Sequence, residues 1–572
     1  MHVVTTSRLY KKKVYQTHLL RRSYREGKKV KSETLGNLSH LPAQIIELIR
    51  RSLKGETMLS STDAFEAVAS RHHGHVQAVL AAIKRLGVEE LIASTPSRER
   101  DLVLSMIAAR ILEPDTKLAT TRWWGTTTLP DILGVSDADE DDLYDAMDWL
   151  VQRQGRIEKK LAARHLKEGG MALYDLSSSY FEGVTCPLAR LGHNRDGKKG
   201  KLQVNYGLLT DDHGRPVAVS VFPGNTGDPK TLMPQIHKIK EDFGIKTMVM
   251  VGDRGMISQT QIDEIKKDAG EMDWITALKT EAIRKLVDDQ SIELELFDER
   301  NIFELTHPDF PGERLVACRN PELRKLRGYK RRSLLEATNR ELMKVQGMVG
   351  RGTLKGKDNI GVRVGKVVNK YKVAKHFVLD IKDHGFDFHI DEKKVAEEAA
   401  LDGIYVLRTS LAKGQLSTED TVRSYKNLSQ VERAFRSMKT LDLKVRPIHH
   451  RLEDRVRAHI FLCMLACYVE WHMREVWRSV LFCDEDQELK KTRDPVAPAK
   501  RSKAALEKVH SKVLSDGSVV HSFQTLLKML STVVRNRCRV PAGGPNAPTF
   551  DVVTTPTAEQ QRAYRLLETI AV

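Results

Sequence analysis

A chain of 572 residues is too long for one hydrophobic core and points to three or four domains. Its 41% hydrophobic and 6% aromatic residues suit a globular protein, and a net charge of +17 implies an anionic partner, nucleic acid first among them. Six cysteines without a Cys-x-x-Cys pair argue against a zinc ribbon or a disulfide framework. With no apolar leader and no apolar run of spanning length, an intracellular, cytoplasmic protein without a membrane partner is expected.

Residues 1–60 carry 13 Lys and Arg against 4 Asp and Glu, interleaved with Val14, Tyr15, Leu19 and Tyr24. Arg25-Glu26-Gly27-Lys28 reads as a hairpin turn, so a basic β-rich element that tracks a phosphate backbone is expected here. Residues 61–168 turn to a helical period and are expected to form a helical DNA-binding domain, with a plain helix bundle as the alternative. Arg71-His72-His73-Gly74-His75 lacks a carboxylate or cysteine at ligand spacing, and reads as solvated histidines ahead of a helix.

At Met171 the period changes again, and residues 169–290 read as the first part of an α/β core. The apolar run MALYD reads as a buried strand ending in Asp175. Two strands joined by Asp211-Asp212-His213-Gly214-Arg215 follow, then a helix over 230–243. The apolar run IKTMVMVGD ends in Asp253, Ser258 caps a further helix, and WITALK is a fifth strand. That order of elements is the order of a ribonuclease-H-like fold. Its neighbouring strand ends would bring Asp175 and Asp253 about 5 Å apart, at the edge where ligands of open sheets gather.

Residues 291–401 break the alternation and read as an inserted, partly β domain with one helical arm. The stretch Gly352 to Asp358 lacks the spacing and the Ser or Thr of a phosphate-binding loop, so no nucleotide is implied. Residues 402–478 return to the core. A single helix is predicted over Ser424 to Arg446, with Leu428, Val431, Phe435 and Met438 on its buried face. Tyr425, Glu432 and Lys439, seven apart, form a second stripe, and Arg436 sits four residues past Glu432. A solvated helix with an ordinary Glu–Arg pair fits the same pattern. Residues 479–572 read as a linker and a helical appendage.

Asp175, Asp253 and Glu432 at one sheet edge would supply hard oxygen ligands for a pair of Mg²⁺ or Mn²⁺ ions, the donor set of two-metal phosphoryl transfer.

These residues carry a resemblance to the DDE transposases of bacterial insertion sequences, in particular the subgroup whose ribonuclease-H-like core is interrupted by a β-rich insertion. That subgroup's signature, Tyr-x2-Arg-x3-Glu-x6-Lys, is met here by Tyr425, Glu432 and Lys439, with Leu428 standing where the Arg belongs. The resemblance implies binding of terminal inverted repeats, cleavage of the element from double-stranded DNA and joining of its 3′-hydroxyl ends to target DNA. It also implies a homodimer on DNA, working at the bacterial nucleoid. Tyr425, Lys439, Arg436, Arg433 and Arg254 would hold DNA phosphates near the scissile bond. Trp274 is the nearest aromatic for base stacking, though its strand position fits core packing. The alternatives are a metal-dependent nuclease that only hydrolyses, and a DNA-binding regulator derived from a transposase.

Overall fold

A computed structural model describes residues 1–11, 13–56, 65–269, 271–484, 486, 492–497, 500–540 and 547–571. The chain divides into two compact units: residues 1–71 with 534–554, and residues 72–533 with 555–572.

In the first unit, β1 (His2–Tyr10), β2 (Lys13–Glu26) and β3 (Lys29–Asn37) form an antiparallel sheet. The expected turn joins β2 to β3, with Gly27 at φ +62°. Arg22 faces Glu33 across the strands at 3.0 Å, and Leu9, Val14 and Tyr15 stay exposed. The boundary expected at residue 60 lies outside the described residues. A second sheet joins β4 (Glu66–His72) to two strands from near the other end of the chain, Val534–Arg539 and Thr549–Val553. The stretch 479–572, read as helical, therefore also carries strands.

The second unit is organised by one mixed sheet. Its strands are β5 (Met171–Tyr180), β6 (Gln203–Asp211), β7 (Pro216–Pro223), β8 (Met248–Val251), β9 (Met272–Ala277), β10 (Ile302–Leu305), β11 (Arg314–Arg319) and, later in the chain, Ile404–Thr409. The spatial order is β10-β11-(404–409)-β9-β8-β5-β6-β7. β5, β6 and β7 are antiparallel neighbours, while β8 and β9 run parallel to β5. This is the arrangement of a ribonuclease-H-like core, extended on the β9 side by three antiparallel strands.

Two readings change in detail. β5 does not end at Asp175 but runs on to Tyr180, because Leu176 to Tyr180 keep pairing with β6 after β8 has stopped. Of the segment 291–401, β10 and β11 belong to the core sheet. The remainder is a helical hairpin (Pro321–Gly350 and Lys357–Tyr371) with a two-stranded ribbon (Phe377–Lys382 and Gly385–Ile390) and a short helix (Glu392–Ala400). This part has its own small apolar cluster around Leu342, Ile360 and Val364.

The helices read as a separate DNA-binding domain share one core with the sheet. Arg98–Leu112 is buried at every position from Leu102 to Leu112, and it packs with Glu140–Val151 against the long helix Glu453–Val476. A helix covered on all sides has no face to lay in a DNA groove. His73 and His75 are buried rather than solvated, with His73 Nδ1 2.8 Å from Thr128 Oγ1.

Candidate active site

The ladder between β5 and β8 sets the first two acids. Leu173 is the partner of Val251 in the parallel pairing, which ends there. Asp175 and Asp253, each two residues further on, stand level at the point where β8 gives way to a turn. Asp253 Oδ1 accepts from the backbone N–H groups of Gly255 (3.0 Å) and Met256 (2.7 Å), so the turn orients its carboxylate. Asp175 Oδ1 accepts from its neighbour Leu176 N at 2.8 Å.

The third acid comes from a helix docked on the same strands. Val431, Phe435 and Met438 are buried as expected, and the Phe435 ring lies edge-on to Tyr206 of β6 at 5.7 Å. Gly214, at φ +83° in the β6–β7 turn, lets this helix approach, since a Cβ there would sit 2.5 Å from Gln430 Cβ. The expected single helix is two, Thr418–Lys426 and Leu428–Arg436, followed by a π turn over Ser437–Leu441. They meet at Asn427, where the turn tightens: Gln430 N bonds to Asn427 O, only three residues back, at 2.8 Å. Tyr425 therefore belongs to the preceding helix and not to a stripe shared with Glu432.

Tyr425 nevertheless reaches the acids. Burial pushes its hydroxyl up to about 12, and the charges of Asp253, Glu432 and Asp175 push in the same direction, while Arg254 opposes them. Burial likewise pushes the Asp175 carboxyl up to about 7; the Leu176 N–H and Arg195 counter this, and the neighbouring charges of Asp253 and Glu432 add to it. The charges of Asp253 and Glu432 thus act on both Asp175 and Tyr425, and that of Arg254 acts on Tyr425.

Lys439 does not stand open to that site. It is buried and tied to Asp196 at 2.7 Å and to Ser177 Oγ at 3.1 Å. Arg446 also pairs with Asp196, and the Tyr180 N–H donates to it at 3.0 Å. Arg433 is exposed, and partial desolvation followed by the charges of Arg478, Arg436 and Arg474 lowers its pKa. Arg436, one turn on, is exposed as well. Trp274 is buried in the sheet, its Nε1 donating to Glu313 at 3.3 Å.

Three residues at this edge went unread in the sequence. Arg195 and Asp196 lie in the connection 181–202 between β5 and β6, and Asp228 opens the segment after β7. Arg195 pairs with Asp228 at 2.5 Å and also acts on Asp175. A Cβ on Gly255 would lie 3.4 Å from Asp253 Oδ1 and 3.9 Å from Asp228 Oδ2, so Asp228 is a fourth carboxylate close to the site. Nothing in local spacing marks these residues; only the return of their loops to the end of β5 does.

Oxygen donors from two strand ends and one helix, with one carboxyl pushed up by burial and then by its neighbours' charge, suit hard divalent cations. The fold and the donor set together define a ribonuclease-H-like enzyme of phosphoryl transfer on nucleic acid.

The family described as Transposase DDE domain matches residues 181–469, half of the chain, and the N-terminal domain of IS1634 family transposases matches residues 3–64. The chain belongs to the DDE transposases of bacterial insertion sequences. The match covers Asp253 and Glu432, and begins six residues after Asp175. No curated protein matches the chain. Among solved structures it is similar to the piggyBac transposase in a synaptic complex with hairpin DNA, at 8% identity and a TM-score of 0.34, over 80% of this chain and 77% of that one. Membership makes the protein an insertion-sequence transposase, cleaving DNA and transferring strands with divalent metal ions. No helix among the described residues is long and apolar enough to cross a membrane.

Proposed function

We propose that Asp175, Asp253 and Glu432 are the metal ligands of this transposase, holding two Mg²⁺ or Mn²⁺ ions, and that Asp175 bridges them. What supports this reading is the register that stands Asp175 and Asp253 level at one sheet edge, together with an Asp175 carboxyl pushed up to about 7, first by burial and then by the charges of Asp253 and Glu432. Bound ions supply activation of the attacking oxygen and stabilisation of the leaving one.

The chain's own groups do the rest. The Asp253 turn fixes one carboxylate through two backbone donors. Tyr425 stays a neutral phenol at any working pH, and its hydroxyl is free to donate to a phosphate oxygen beside the acids. Arg254, exposed on the turn after Asp253, adds a cation for the DNA backbone. Joining exchanges one phosphodiester for another and needs no nucleotide. On this reading the protein binds the terminal inverted repeats of its element, acts as a homodimer that pairs two ends, and works on the nucleoid.

The test is cleavage of a duplex carrying the element's end with Mg²⁺, comparing wild type with Glu432→Gln while binding is followed in parallel. Loss of cutting and joining with binding retained supports the reading. Equal activity of the two proteins removes Glu432 from the site, and cutting without joined products favours a hydrolytic nuclease.

A further inference from the structure

The strongest concentration of charge in the chain is away from the acids. Residues 321–376 hold 16 Lys and Arg against 4 Asp and Glu, a net +12 where the whole chain carries +17. They form the helical hairpin inserted between β11 and the strand Ile404–Thr409. Its distal half is fastened by Leu342, Val345, Ile360 and Val364, which are buried between its two helices. Its first turns are tied down at Arg331, which pairs with Asp402 at 2.5 Å, but from Pro321 to Lys330 no residue is buried, and Leu326 and Tyr329 are 62% and 71% exposed. Arg324, Arg327, Lys330 and Arg332 are exposed there, and among the described residues none of them pairs with an acid. Glu322 pairs with Lys325 at 3.7 Å and Asp402 with Arg331 at 2.5 Å, and the remaining cations repel one another unless an anion covers them.

The sheet register fixes where this helix starts. Leu173 pairs with Val251, Val251 with Ile275, Ile275 with Thr409 and Thr409 with Arg314, so Arg314 is level with Leu173. β11 runs in the same direction as β8, and five residues later, at Arg319, it leaves the sheet by the edge at which Asp253 stands. Asn320 then caps the helix, its side chain accepting from Glu322 N and Leu323 N at 3.1 Å. Three strand spacings across and about four residues along put the helix start roughly 20 Å from Asp253, or about six base pairs of duplex.

We infer that the first turns of Pro321–Gly350 are a clamp for double-stranded DNA, gripping the phosphate backbone of the same duplex whose scissile bond lies at Asp175, Asp253 and Glu432. The inference rests on the proposed site only for the location of that bond. Arg324, Arg327, Lys330 and Arg332 neutralise phosphates. The contact carries no sequence preference, since it reads charge and not base edges.

The test uses the full chain in metal-free buffer with a duplex of arbitrary sequence, so that it is independent of cleavage. Affinity is measured between about 50 and 200 mM salt for wild type, for R324Q/R327Q/K330Q/R332Q and for the charge-retaining R324K/R327K/K330R/R332K. The neutralised variant is expected to melt like wild type, to bind more than about tenfold more weakly at low salt, and to lose about three to four from the slope of log affinity against log salt. The charge-retaining variant restores both. An unchanged slope in the neutralised variant overturns the clamp. Loss of cleavage in Glu432→Gln leaves this measurement unaffected, so the two readings fail separately.

Discussion

Leu173 and Val251 are partners in the parallel ladder of β5 and β8, and the residues two places beyond each of them, Asp175 and Asp253, are the acids of the candidate site. Their level placement follows from register alone, and a one-residue slip of β8 would move Asp253 to the other face. Asp175→Asn and Asp253→Asn are each expected to reduce cleavage and joining by at least a thousandfold, with duplex affinity in metal-free buffer within about twofold of wild type. Mn²⁺ is expected to raise the melting temperature of wild type and to leave that of Asp175→Asn unmoved. A full Mn²⁺ shift in the variant would take Asp175 out of the ligand set.

Arg195 sits between Asp228 and Asp175, where its charge partly offsets the acids before any metal arrives. Arg195→Gln removes that offset. The midpoint of a Mn²⁺ titration is expected to move to lower concentration by several-fold, and the metal-free protein to melt earlier than wild type. Calorimetry on the two proteins decides it, and an unchanged midpoint would mean that Arg195 serves Asp228 alone.

Lys439 illustrates how a residue can be legible in type and misread in role. Its spacing from Tyr425 and Glu432 suggested a phosphate contact, but the chain breaks at Asn427 and the π turn after Arg436 turns Lys439 inward, onto Asp196. Lys439→Met leaves the buried Asp196 to Arg446 and the Tyr180 N–H, and is expected to cost about 2–3 kcal/mol in denaturant unfolding. A phosphate contact would instead lower the salt slope of DNA binding by about one without loss of stability, and that result would restore the first reading.

What the sequence made legible is what repeats locally. The alternation of β5 to β9, the turn at Asp211 to Arg215, and the buried face Val431, Phe435, Met438 are periodic signals. The acids stand out because apolar runs lead into them. β10 and β11 were not legible as core strands, because the pairing of β11 with Ile404–Thr409 spans some ninety residues of inserted hairpin and β10 joins the sheet only through β11. Asp196, Arg195 and Asp228 lie in irregular connections, where no period announces a side chain's direction. The kink at Asn427 is equally silent: a single Asn in a helical run is tolerated as often as it breaks the run.

The buried histidines give the fold an acid limit. His472 lies edge-on to Tyr468 and Trp471 at 4.8 and 4.9 Å, and His165 bonds Tyr468 Oη through Nε2 at 2.9 Å. Burial, then the charges of His165, Arg215 and Arg164, lower the pKa of His472 to about 3, and burial with Arg215 and Arg164 lowers that of His165 to about 4. In the unfolded chain both titrate at 6.5, so unfolding takes up protons below that pH. The stability these rings contribute is complete above about pH 6.5 and drains away as pH falls towards their folded values. At pH 5 the deficit from His472 alone is about 2 kcal/mol. His472→Phe keeps the ring and removes the titration, so between pH 7.5 and pH 5 the wild type is expected to lose about 2 kcal/mol more than the variant in urea unfolding. Equal losses would place the acid sensitivity elsewhere, with His75 the next ring to replace, since burial lowers it to about 4 as well.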